Sequence, residues 1–505
     1  MRGLCTILIL LFSVAGATSQ TNESLQRSRA EFVQRQESFA EELTSLADQL
    51  ERQGLADAAA EVRRDIPDAD AARLQFQSLP RERRGQLPPA TSPEGAWRHR
   101  LRFLKEKEAD ELYKYSQKAM QEDHVSFAYQ VVREAARLNP DLETARALLG
   151  YIPYEGEWLT PFEADKKKKK ESWDDRFGWV LAADLPRYEQ GLRKYKGRWI
   201  PSEHDSELRQ DFRNAWEIRT EHWLVKTNHS LERGVEIAGK LEDYYSFFIS
   251  EFPGLFNSRA QMKKLFAVGP NARPRINQNP FVVHYYKTKE DYVAQLQRQV
   301  PIIGATNGIY LQDDETSYFF HRPEATDEST LYHEATHQIL WESRSYKRDI
   351  AESNHFWVIE GFACYMESYR RESGLIRLGD PEFIRFDNAR ARLIADRFYL
   401  PLATTVKLGM KEYQAQQSLP LLYSQASGMV HFFLHAENGR YRDSFLEYVA
   451  GIYASRKSNG SDIPSLEKLT GLSFHELDVE YIRYMSRQAE EIVNSEQQTE
   501  LKKSE

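Results

Sequence analysis

Cysteine is almost missing from this chain, with two in 505 residues, Cys5 and Cys364. Cys5 falls inside an N-terminal segment that carries the marks of an export signal. Arg2 supplies the positive charge, Leu4 to Ala17 is nearly all apolar or small, and Ala15-Gly16-Ala17 has the A-x-A form of a cleavage site. Cys5 lies too early, and without the small-residue context, for a lipoprotein cysteine. A signal over 1–17 leaves one cysteine in the mature chain, which excludes an internal disulfide on an export route that would permit one. That pattern suits an exported bacterial protein, periplasmic or extracellular. A membrane span is also missing, since no later stretch approaches the roughly twenty apolar residues that a crossing needs. So is an excess of positive charge. With 68 basic and 76 acidic side chains the net charge is −8, and no basic domain or zinc-knuckle spacing appears, so a nucleic-acid partner is not expected. No inhibitory pro-segment motif accompanies the signal.

What is present is globular. The chain is 41% hydrophobic and 29% charged, rich in Tyr and Phe, and long enough for two or three domains with at least one full core. Three acceptor patterns for N-glycosylation, at Asn22, Asn228 and Asn459, are short enough to arise by chance.

The periodicity predicts a helical hairpin over 20–78, because Phe32, Phe39, Leu43, Leu46 and Leu50 recur at helical steps until Gly54. A Pro-, Arg- and Gly-rich stretch over 79–95 reads as a linker. Region 96–165 reads as a helical pair, its second helix similar to that of a tetratricopeptide unit, with a small module after it, Tyr154-Glu155-Gly156-Glu157-Trp158. The module returns as Tyr195-Lys196-Gly197-Arg198-Trp199 within 166–214, which opens on the basic run Lys166 to Lys170, read as a solvated linker. This helical third could also carry a protein-binding surface. Region 215–485 reads as one larger α+β domain. It has strands at Trp223–Thr227 and Phe281–Tyr286 and a hairpin of Gly308–Gln312 with Tyr318–His321, and is mostly helical thereafter. Residues 486–505 read as a polar, disordered tail.

The chemistry concentrates in Leu331-Tyr332-His333-Glu334-Ala335-Thr336-His337. Thr326 and Asp327 offer N-cap chemistry, and no Pro or Gly interrupts the run from Glu328 to Leu340, so the stretch is expected to be helical. Residues four apart on a helix share a face, which lets the imidazoles of His333 and His337 reach one zinc ion, with Glu334 beside it as a general base. Downstream, Glu360, Ala363, Cys364 and Glu367 share the face of a second helix. A carboxylate at Glu360, 23 positions after His337, completes a His₂Glu ligand set with an open fourth position. Cys364 reads as a buried helix residue.

HExxH with a downstream helix carrying Glu360-Gly361-Phe362-Ala363 resembles the gluzincin clan of zinc peptidases. Trp357 to Ala363, together with Tyr423 to Leu434, is similar to an uncharacterised family of exported bacterial proteins, and the likeness covers roughly 215–485. The resemblance implies a zincin-like catalytic domain with a small mixed sheet and an active-site helix. Zn²⁺ would be held by His333, His337 and Glu360, Glu334 would be the base, and a peptide or protein would be the substrate. It further implies that the edge strand, through Gly308, Ile309, Tyr310 and Leu311, pairs with an extended substrate. The oxyanion of amide hydrolysis needs a donor, which relatives take from a Tyr or His of a later helix. Tyr423 and His431, eight positions apart, are the candidates. His355 could border the cleft. The chain departs from the pattern where gluzincins often place an acidic residue four positions after the glutamate ligand. Here that residue is Cys364, so Glu367 or Asp327 would have to orient a histidine. A scaffold with a structural or idle zinc site is the alternative.

Overall fold

The computed structural model describes residues 5–67, 74–268, 279–323, 328–343, 350–372, 374–455, 457 and 460–504. The architecture is mixed α+β, with long helices around small sheets. No helix among the described residues is long and apolar enough to cross a membrane.

A five-stranded sheet orders its strands Gly308–Leu311, Thr316–Phe320, Phe281–Tyr286, Trp223–Thr227 and Trp216–Arg219. The central strand Phe281–Tyr286 runs parallel to both neighbours, whereas each outer strand is antiparallel to the one inside it. Alternation fixes the buried face of the central strand, since Phe281, Val283 and Tyr285 are buried while Val282 and His284 are less so. The helix Leu231–Glu251, N-capped by the Ser230 hydroxyl, lays Val235, Ala238, Leu241, Tyr245 and Phe248 into the same core.

That core runs from Trp216 to Met485. A second core, from Leu25 to Leu148, is built by helices Cys5–Arg52, Ala56–Arg63, Pro93–Gln121 and Val125–Leu138. It also takes in Met262 and Leu265, which the chain contributes from the larger region.

Several elements differ from the sequence reading. Within the expected hairpin of 20–78, Leu74–Gln77 is a strand that pairs with Leu375–Leu378, itself paired to Arg370–Glu372. These strands interrupt a region read as helical. Each is three or four residues long, too short for a periodicity to register. The basic run is not a linker. The helix Pro161–Lys168 opens on a capping box between Thr160 and Glu163 and ends on Lys166, Lys167 and Lys168, where cations complement the helix dipole. Lys166 and Lys167 pair with Glu171 and Glu157 at 2.6 and 3.1 Å. Between the two Gly-x-Trp hairpins lies a third, Glu171–Asp174 with Gly178–Leu181. The last helix continues from Phe474 through Ser504, across the segment read as a disordered tail.

Candidate functional site

The helix Ser329–Glu342 carries His333, Glu334 and His337, and packs behind the edge hairpin of the sheet. Thr326 and Asp327 lie outside the described residues. The N-cap position is Glu328, which makes no side-chain cap bond. Its carboxylate instead accepts from Arg233 Nη2 at 2.8 Å and Lys240 Nζ at 3.1 Å, tying the helix start to the long helix Leu231–Glu251. Further along, the Gln338 amide donates to the Val282 carbonyl at 3.1 Å and accepts from Ser317 Oγ at 2.7 Å. Tyr310 Oη donates to Glu342 Oε1 at 3.3 Å. Gln338 and Glu342 are one turn apart, so this buried polar face locks the helix to the sheet. Sequence reasoning misses both residues; the signal available is two polar residues at i and i+4 beside an otherwise apolar stretch.

The second helix, Phe356–Met366, brings Glu360 across from the two histidines. Its approach depends on Gly361. A Cβ there would sit 2.9 Å from the Ala426 carbonyl oxygen and 3.0 Å from its carbon, on the neighbouring helix Leu419–Gly439. His333 Nε2 and His337 Nε2 stand 3.2 Å apart. Glu360 Oε2 is 3.6 Å from His333 Nε2, and Glu360 Oε1 is 3.9 Å from His337 Nε2. A tetrahedral ion with bonds of about 2.0–2.2 Å separates its ligand atoms by roughly 3.3–3.6 Å. The three side chains are therefore spaced for one such ion, each 15% exposed.

Glu367, one turn beyond Cys364, sits beneath this set. Its Oε1 accepts from His333 Nδ1 at 2.9 Å, and Arg385 donates to both its oxygens, from Nε at 2.9 Å and Nη2 at 2.8 Å. A carboxylate on Nδ1 fixes the ring so that Nε2 faces the shared centre. Of the two residues expected to orient a histidine, Glu367 is in contact and Asp327 is not among the described residues. Arg385 is invisible to sequence reasoning, because it lies on a different helix, Ile384–Ile394, with no spacing to link it. Cys364 is buried against His333, and burial pushes its thiol pKa up.

The electrostatics show a demand for positive charge. Burial alone would depress His333, yet contact with Cys364, Glu360 and Glu367 carries it well above the ordinary histidine value. His337 is lowered by burial, against the opposing pull of the Glu360 carboxylate. Burial opposes ionisation of Glu360, but His333 and His337 hold its pKa below the usual carboxylate value.

Glu334 lies beside the cluster and faces the edge strand. Its Oε2 accepts from the backbone N–H of Tyr310 at 2.9 Å. Gly308, Ile309, Tyr310 and Leu311 do form the outermost strand. Tyr310 N–H, which points away from the paired strand, is thus already taken by Glu334.

Tyr423 and His431 share the helix Leu419–Gly439 but not an environment. Tyr423 is half-buried, and its phenol pKa is raised by burial and then by the Glu360 carboxylate. His431 is fully buried, with Nε2 2.9 Å from the Gly379 carbonyl and Nδ1 2.9 Å from Tyr484 Oη, so both nitrogens are engaged away from the cluster. His355 starts the Glu360 helix in a left-handed conformation (φ 61°), its Nδ1 2.7 Å from Tyr448 Oη.

Compared with known proteins, the chain matches no family model and no curated protein.

Proposed function

We propose that the chain is an exported zinc-dependent metallopeptidase with a gluzincin-like catalytic region over about 215–485. The observation that carries this reading is the convergence of His333 Nε2, His337 Nε2 and Glu360 at mutual distances of 3.2–3.9 Å, with Glu334 alongside. The donor set fits zinc, being two imidazoles and a carboxylate with a second carboxylate, Glu367, on His333 Nδ1. When bound, zinc supplies Lewis acidity, lowering the pKa of a water and polarising the scissile carbonyl.

The chain's own residues supply the rest. Glu334 takes a proton from the attacking water and returns it to the leaving amine. The Tyr310 N–H keeps that carboxylate oriented, and the other Glu334 oxygen makes no protein hydrogen bond among the described residues. Tyr423, in the field of Glu360, is the donor placed to hydrogen-bond a developing oxyanion. The outer edge of Gly308–Leu311, where the Tyr310 carbonyl faces away from the paired strand, offers backbone to an extended peptide.

The separate helical core over Leu25–Leu148 favours a second reading, an exported scaffold whose zinc site is structural or idle and whose N-terminal region binds a protein partner. A mixed library of unfolded peptides, incubated with the zinc-loaded protein and with Glu334→Gln, separates the two. Products from the wild type alone, abolished by a chelator, are the expected result. Silence from a protein confirmed to hold zinc would instead support the scaffold.

A further inference from the structure

At the far side of the sheet from the edge strand Gly308–Leu311, the turn between strands Trp216–Arg219 and Trp223–Thr227 meets the long helix Leu231–Glu251. The turn presents Glu221 and His222, and the helix presents Glu242. One ligand atom from each of the three lies within 4.8 Å of the others. His222 Nδ1 is hydrogen-bonded to Glu242 Oε1 at 2.5 Å, closer than two ligands of one ion, so an ion here would part this pair, while the His222 backbone N–H donates to Glu242 Oε2 at 3.0 Å. Glu221 Oε2 accepts from Thr160 Oγ1 at 2.7 Å, which joins the cluster to the Gly-x-Trp module. All three side chains are half-buried, so a small ion can enter and keep a water.

Tyr245 adds an independent observation. Its ring stacks on His222 with centroids 4.0 Å apart, it is 3% exposed, and its hydroxyl has no hydrogen-bond partner among the described residues. A buried hydroxyl left unpaired costs about 1–3 kcal/mol unless a water or ion completes it. Through this stacking the phenol lies against the cluster, and its pKa is raised by burial and then by Glu242 and Glu221. Two carboxylates are packed together here. Burial and then Glu242 act to raise Glu221. The Arg219 guanidinium, which feels both carboxylates, is tied to the Trp223 carbonyl at 3.1 Å.

We propose that Glu221, His222 and Glu242 form a second divalent-metal site, separate from the His333 centre, with an N/O donor set suited to zinc. The ion clamps the Glu221–His222 turn onto the long helix, and a coordinated water meets the Tyr245 hydroxyl. The same helix reaches the other centre from its opposite side, where Tyr244 Oη lies 2.6 Å from Thr336 Oγ1. The role is structural and does not depend on the peptidase reading.

The test is the zinc stoichiometry of the full chain by calorimetry and elemental analysis, for the wild type, His222→Ala and the double variant His333→Ala/His337→Ala. Two equivalents in the wild type and one in each variant are expected, with His222→Ala keeping whatever peptide turnover the wild type has. One equivalent in both wild type and His222→Ala, with none in the double variant, overturns the proposal. Since His222→Ala could misfold, zinc-dependent thermal stability is read in the double-variant background. Added zinc should raise its Tm, and introducing Glu242→Gln should remove that rise; no rise in the double variant also overturns the proposal. Loss of turnover with two zinc equivalents retained would sink the peptidase reading alone.

Discussion

Glu367 Oε1 lies 2.9 Å from His333 Nδ1 while the Arg385 guanidinium holds the same carboxylate by two hydrogen bonds. The acidic residue that orients His333 is thus seven positions after Glu360, with Cys364 at the fourth. Glu367→Gln should weaken zinc binding by about 10–100-fold, the usual cost of losing such a partner. Competition against a chelator of known affinity would measure it. Arg385→Met should have a smaller effect of the same sign, since Glu367 would remain but less firmly held. Unchanged affinity in both variants would rule out this arrangement as the support of the centre.

Tyr423 and His431 are equal candidates from spacing alone, and their surroundings separate them. Tyr423→Phe should lower kcat by about 10²–10³-fold, the cost of removing one oxyanion donor, with little change in KM or Tm. His431→Phe should leave kcat within a few-fold while lowering Tm, because Tyr484 and the Gly379 carbonyl would lose their buried partner. A variant pair that behaved the other way round would reverse the assignment.

The parts that are legible in the sequence are those encoded locally. HExxH needs only one helix and a four-residue step, and the strand Phe281–Tyr286 announces itself as a short apolar run. What stays hidden depends on contacts between distant segments. Leu74–Gln77 finds its partner at Leu375–Leu378, some three hundred residues on, and nothing in four residues specifies that pairing. Glu328 stands at the head of the HExxH helix with its carboxylate held by Arg233 and Lys240 of another helix, which no local spacing reveals. The Lys166–Lys170 run looks like a linker because charge composition outweighs the capping box Thr160/Glu163 just before it.

Buried histidines set the acid limit of stability. Burial holds His431, His355 and His284 at about 4, against an ordinary value of 6.5. Once unfolded, each takes up a proton near pH 6.5, while the folded form resists until about 4, so the unfolded state binds more protons in between. Stability is therefore full above pH 6.5 and falls as the pH drops toward 4. For the fully buried His431 alone the loss is about 3 kcal/mol, from about 1.4 kcal/mol per pH unit. Urea midpoints at pH 7.5, 6 and 5 should fall in that order, and His431→Gln should flatten the trend. Stability that rose on acidification would contradict the burial of these rings.

Gly361 links packing to chemistry most directly. It neighbours Glu360, and a Cβ at this position would meet the Ala426 backbone at 2.9–3.0 Å, closer than real Cβ contacts allow. Neither helix can yield locally, because the clash is with main chain on the helix Leu419–Gly439 and not with a flexible side chain. Gly361→Val should therefore cost about 1–3 kcal/mol through overpacking. The two helices must separate to admit the side chain, and Glu360 moves with its own backbone. Since Glu360 is 3.6 and 3.9 Å from the two imidazoles, a shift of a few tenths of an ångström away from them should weaken zinc binding. Gly361→Ala should show both effects in smaller measure. Denaturant midpoints and zinc affinity, measured on the two variants, should fall together; a large stability loss with unaltered zinc affinity would show that Glu360 is not held by this helix contact.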